Sequence, residues 1–162
     1  MGKSTIVVLQ VVIALALLGS LVVQTVIMPL VWADLAGEVL WGRIALVTIA
    51  VLGILTLQVF GVCVWMLLGK VRRGSIFSSA SFRYVDVIIG AIAAAAVLML
   101  ILAILLAPGS IAPGVVALIG GAALVLGGMA LLVVVMKALL RQAIDRDARA
   151  NALQSELDNE VI

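Results

Sequence analysis

Four long runs of apolar residues with short breaks between them constrain this chain more than any other feature. They cover about residues 6–32, 40–69, 85–107 and 114–137. A helix needs about 20 predominantly apolar residues to cross the roughly 30 Å of hydrocarbon in a bilayer, and each run is long enough. Inside hydrocarbon every backbone N–H and C=O must be satisfied within its own segment. Runs of this length without strict alternation are therefore predicted to be helices rather than barrel strands. The breaks are ADLAGE after the first run, GKVRRGSIFSSASFRY after the second and PGSIAPG after the third. Connections this short make consecutive helices antiparallel neighbours. The predicted fold is all-α: an integral membrane bundle of four transmembrane helices over residues 1–137, with a cytoplasmic helical extension over 138–162.

Composition agrees with this architecture. Of 162 residues, 66% are hydrophobic and 11% charged, against roughly 45–50% and about 25% in soluble domains. Mean hydropathy is +1.41. The long apolar runs leave no room for a separate soluble domain, and only the last two dozen or so residues are expected to reach far into water. Membrane lipids are the partner implied first. Histidine is absent and Cys63 is the single cysteine, which rules out a disulfide within the chain and argues against a zinc or haem site. No metal and no other cofactor is expected. The net charge of +2 is small, and no direct contact with nucleic acid is expected from it.

The opening MGKST imitates three signals. A secretory leader would have a short apolar core and a small-residue cleavage site, but apolar character persists here from Ile6 to Trp32. An uncleaved helix is expected. Myristoylation wants Ser or Thr at the position held by Ile6, and the upstream glycine of a phosphate-binding loop is missing before GKST.

Charge sets the orientation. Lys3, Lys70, Arg72, Arg73, Arg83, Lys137, Arg141, Arg146 and Arg149 fall at one set of helix ends, and Arg43 alone at the other. By the positive-inside bias both termini and the connection at 69–84 are cytoplasmic. Trp32 and Trp41 then sit at the outer interface and Trp65 and Tyr84 at the inner one, where amphipathic rings are favoured.

Small and polar residues within the runs say where helices meet. Gly114, Gly121 and Gly128 recur every seven residues, with Gly120 and Gly127 one step behind, a seam expected to pack on the third span near Gly90 and Ala94. Gln24 and Thr25 share a depth with Thr48, so a hydrogen bond between the first two spans is expected there. Gln58 lies deeper, level with Gly127 and Gly128, and is read as helix glue. The one acid within a span is Asp86, near the cytoplasmic end of its helix. Arg83 lies three residues before it on the same helical face, and an interfacial ion pair between the two is expected rather than a proton carrier. Small four-helix drug and proton antiporters are of similar size but carry an acid in the first span, where this chain has none.

Catalytic chemistry has no foothold: there is no His, no paired carboxylate within the spans, no C-x-x-C and no serine with an evident base. Cys63 among valine and tryptophan reads as a small core residue. The chain is not expected to be an enzyme.

The basic connection reads as a structured hairpin. The second helix is expected to run to Arg73, with Gly74 as the left-handed residue that ends it and Lys70, Arg72 and Arg73 in its last turn, facing anionic headgroups. Ser78 is a good N-cap for the third helix, with Phe77 and Phe82 placed as a hydrophobic staple around it.

The turn GKVRRGSIF, the following SFRYVDVIIG and the closing LQSELDNEVI together resemble an uncharacterised family of small bacterial four-helix membrane proteins, a domain of unknown function. The resemblance spans most of the chain. Family members usually place an asparagine after the phenylalanine, where this chain has serines. The resemblance implies a multi-pass protein of the bacterial cytoplasmic (inner) membrane. Such proteins are often encoded beside a helix-turn-helix regulator similar to the Cro and CI repressors, which implies a cytosolic regulator as partner.

From Lys137 to Val161 there is neither Pro nor Gly, and a helix is expected to continue through the tail. Arg141, Asp145 and Arg149 follow at i,i+4 and are expected to pair along its solvated face. Leu153, Leu157 and Val161 form an apolar stripe at the same spacing, read either as an amphipathic end lying on the membrane or on the chain's own loop, or as a docking face. Two functional readings result. One is a non-enzymatic membrane anchor, sensor or regulatory subunit acting through its cytoplasmic hairpin and tail. The other is a small transporter or channel, working as a homo-oligomer with Gln58 and Asp86 near its path.

Overall fold

A computed structural model describes residues 3–37, 39–72 and 79–161. Among them the chain is entirely helical, and four helical segments are long and apolar enough to cross a membrane. The first is composite: α1 (Lys3–Val22), a π-helical turn (Val23–Ile27), α2 (Met28–Asp34) and a 3₁₀ turn (Leu35–Gly37). The others are α3 (Leu40–Arg72), α4 (Ser79–Leu106) and α5 (Pro113–Glu160). The expected runs thus correspond to helices that extend a few residues beyond most of their apolar limits.

Proline explains two local features. Pro29 has no N–H, and its ring crowds the carbonyl four residues back, at Thr25. The helix answers by widening one turn earlier, so that the Met28 N–H donates to Val23 O, five residues back. Such single π turns recur inside α-helices, often at functional sites. At the start of α5, Pro113 occupies the first turn, where its missing N–H costs nothing. Ala112 before it is extended (φ −55°, ψ 130°), as a residue preceding proline prefers.

Packing follows chain order. The α4/α5 interface is the most extensive, α3/α4 is next, and the first span meets α3 over a smaller area. Among the described residues the buried apolar set is Ile6, Cys63, Ile88, Ala91, Ala103, Ala123 and Ala130. Four of the seven are alanines, which let backbones approach closely. Large apolar side chains such as Leu15, Leu57, Leu118, Leu124 and Leu131 are exposed on the outside. In water such a surface would associate; helices apolar all round suit a lipid surrounding.

The glycine seam needs correction. The α5 face turned to its neighbour carries Ala123 and Ala130, with Gly120 and Gly127 half-buried at its edge. Gly114, Gly121 and Gly128 are exposed, and a methyl group added at any of them would meet nothing within 4 Å. Stepping by seven keeps residues on one face, but the face closest to α4 is the alanine one. Gly90 and Ala94, expected against this seam, instead line a groove between α3 and α4.

α5 runs unbroken for 48 residues, so no structural boundary falls between residues 137 and 138; the change there is one of composition. From Lys137 onward nearly every residue of the helix is exposed.

Candidate functional site

Two groups of polar side chains stand out: one deep between the first span and α3, the other at the end of the helices that carries Lys70, Arg83 and Lys137, the basic end.

The deep group is a hydrogen-bonded chain. Gln58 Nε2 donates to Ser20 Oγ at 3.0 Å and to Gln24 Oε1 at 3.1 Å, which employs both amide protons. Gln24 Nε2 in turn donates to the Val51 carbonyl at 3.4 Å, and the Ser20 hydroxyl to Leu17 O at 2.7 Å. Ser20 and Gln24, four residues apart, present one face of the first span. Gly61, one turn beyond Gln58, lets that span approach: a methyl group there would lie 3.3 Å from Leu17 Cδ2.

The expected partners were different. Thr25 donates to Leu21 O within its own span, at 2.8 Å, and Thr48 is exposed. Gln24 does reach α3, but through the Val51 carbonyl. Gln58, placed by depth beside Gly127 and Gly128, is joined to the first span. Helix glue describes its role, and Ser20 is the member that sequence reasoning missed; its place four residues before Gln24 was the available signal.

Interhelical hydrogen bonds in lipid contribute about 0.6–2 kcal/mol. Gln58→Leu removes two of them and is expected to destabilise the protein in detergent by about 1 kcal/mol, with α1 becoming more accessible to protease. Unchanged thermal unfolding would show that the cluster contributes nothing to cohesion.

At the basic end three contacts tie α3, α4 and α5 together. Lys137 of α5 forms a salt bridge with Asp86 of α4. The lysine side chain is 14% exposed and the aspartate 54%. Lys70 Nζ lies 4.8 Å from the centroid of the Tyr84 ring, and the Arg141 guanidinium 5.3 Å from that of Phe82, both cation–π distances. The ion pair expected between Arg83 and Asp86 is replaced by the one with Lys137, because the neighbouring helix brings a cation closer than the preceding turn does; Arg83 is exposed. Arg141, expected to pair with Asp145, lies over Phe82 instead, and among the described residues no ion pair joins Arg141, Asp145 and Arg149.

α3 ends at Arg72 and α4 begins at Ser79. Arg73, Gly74, Phe77 and Ser78, proposed to form the turn between them, lie outside the described residues. At the opposite end Arg43 donates through Nη2 to Trp32 O and stacks on the Trp32 ring at 3.9 Å. This joins the end of the first span to the start of α3. Along the tail Leu153 is 61% exposed, Leu157 63% and Val161 86%, so the apolar stripe is uncovered.

Between α3 and α4 runs an apolar groove of about 790 Å³, lined by Leu52, Leu55, Val59, Val87, Ala94 and Val97 among others.

No curated protein and no solved structure matches the chain. Residues 4–161 do match the family described as "Protein of unknown function (DUF2975)". Four long apolar helices fit the resemblance drawn from the basic turn and the tail, and with the match spanning nearly the whole sequence, the chain belongs to this family.

Proposed function

We propose that the chain is a non-enzymatic, multi-pass protein of the bacterial cytoplasmic membrane with both termini in the cytoplasm. In this reading it acts as an anchor, sensor or regulatory subunit on a cytosolic partner such as a helix-turn-helix transcription regulator. The observation that carries the proposal is the continuity of α5, which passes without a break from an apolar stretch packed on α4 into an exposed polar helix. The 23 residues from Ala138 to Glu160 extend about 35 Å at 1.5 Å per residue. A shift or rotation of the packed part would be transmitted to the tail, because one helix is the stiffest link available between a bilayer and a soluble partner.

Leu153 and Leu157 are the contact residues in this proposal, with Val161 at the end of the same stripe. Burying two leucines stabilises a contact by roughly 3–6 kcal/mol before ordering costs, enough for a reversible association. The double substitution Leu153→Ser, Leu157→Ser is expected to abolish co-purification of the regulator while leaving membrane integration unchanged. An identical set of co-purified proteins with and without the substitutions would remove the docking role.

The second reading, a small transporter or channel working as a homo-oligomer with Gln58 and Asp86 near its path, is supported less well. Gln58 is committed to the first span and Asp86 to Lys137 of α5, so the two groups serve different helix pairs. Flux through reconstituted vesicles is expected to be absent.

A further inference from the structure

The groove between α3 and α4 has features that tight helix packing does not account for. Its lining is almost wholly apolar, and it stays open although the small residues Gly90 and Ala94 in that lining would allow close approach. On α4 it extends from Val87 to Leu98, about 17 Å at the helical rise. That length matches one leaflet, half of the roughly 30 Å hydrocarbon thickness.

Two cations lie beyond the Val87 end of the groove, while Arg43, at the far end of α3, is engaged by Trp32. Arg83 stands one turn before Val87 on the groove face of α4 and is exposed. On α3, Lys70 is three turns beyond Val59 on the face that carries Leu52 and Val59, and its amine is held over Tyr84. Asp86, the nearby acid, is engaged by Lys137. Beyond the Val87 end of this apolar channel, one leaflet long, lie two cations, Arg83 one turn on along α4 and Lys70 further on along α3, within reach of a headgroup rather than in the lining itself. That combination suits an anionic amphiphile. We propose that this groove holds an acyl chain of an anionic phospholipid whose phosphate is met by Lys70 and Arg83. The proposal rests on the membrane reading above and extends it. A second copy of the chain fits less well: two copies inserted in the same sense would bring their Lys70 and Arg83 side chains to the same end of a shared groove, like charge against like.

The test uses the full chain in nanodiscs of dioleoyl phosphatidylcholine and dioleoyl phosphatidylglycerol, released and weighed by native mass spectrometry to count retained lipids. With each basic residue at a membrane surface contributing about five-fold, phosphatidylglycerol should be retained about 25-fold over phosphatidylcholine. Lys70→Gln and Arg83→Gln should each reduce that preference about five-fold, and the double variant should show none. Gly90→Phe, which meets no neighbouring atom within 4 Å at its Cβ, should fill the groove and lose both lipids while circular dichroism stays helical. Inorganic phosphate should not displace the lipid. Equal retention of the two lipids by the unaltered protein would overturn the proposal. So would a preference that survives in the double variant, displacement by phosphate alone, or a Gly90→Phe protein that keeps its lipid but changes from dimer to monomer, which would assign the groove to a second copy. Alkaline carbonate extraction separates the two levels: protein that leaves the membrane overturns the membrane reading and this proposal with it, whereas protein that stays but shows no lipid preference overturns this proposal alone.

Discussion

Ala123→Leu and Ala130→Leu are each expected to destabilise the protein by about 1–3 kcal/mol, because both alanines are buried where α5 lies against α4 and the isopropyl group added to Cβ would overpack the contact. Helices in lipid gain cohesion from close packing rather than from expelling water, so an α5 contact face built on Ala123 and Ala130 is sensitive to bulk. The same substitution at Gly121 or Gly128 should be nearly neutral, since both positions are exposed and an added Cβ would meet nothing within 4 Å. Thermal unfolding in a mild detergent compares the four variants. Equal losses at alanine and glycine positions would mean that the α4/α5 contact face has been misassigned.

Lys137→Glu should have the second large effect. It removes the cation from Asp86 and sets two carboxylates together between α4 and α5. Breaking a fully buried pair costs about 3–5 kcal/mol, but Asp86 is half exposed, so about 1–2 kcal/mol is expected after allowance for solvent screening. The exchanged pair, Asp86→Lys with Lys137→Glu, should recover most of that loss. A double-mutant cycle read by chemical or thermal unfolding isolates the coupling. Additive single effects, with no recovery in the exchange, would show that the two side chains do not act together.

Features legible in the sequence were those that depend on one helix at a time. Apolar length located the four long apolar helices, the absence of Pro and Gly located the continuing tail, and the i,i+4 spacing of Leu153 and Leu157 placed them on one exposed face. Features that depend on how two helices face each other were not legible. Counting residues from a helix end gives depth but not azimuth, so Thr48 was matched to Gln24 and Thr25 by depth although it points outward. Gln58 was set beside α5 although it faces Ser20 and Gln24. Asp86 was assigned the cation nearest in sequence, Arg83, when the one nearest in space comes from residue 137. The π turn before Pro29 was within reach: a proline inside an apolar helix must displace the hydrogen bonds of the preceding turn.

The lipid groove and the docking tail both depend on which end of the helices faces the cytoplasm. Nine Lys and Arg residues at one set of ends against Arg43 at the other carry the proposal that the basic end is inside, by the positive-inside bias. Single cysteines placed at Asp34, Ser110 and Asn151 in a Cys63→Ala background measure this directly. With a membrane-impermeant maleimide applied to intact cells, the account predicts labelling at positions 34 and 110, and labelling at 151 only after the membrane is opened. Labelling at 151 in intact cells, with 34 and 110 protected, would contradict it.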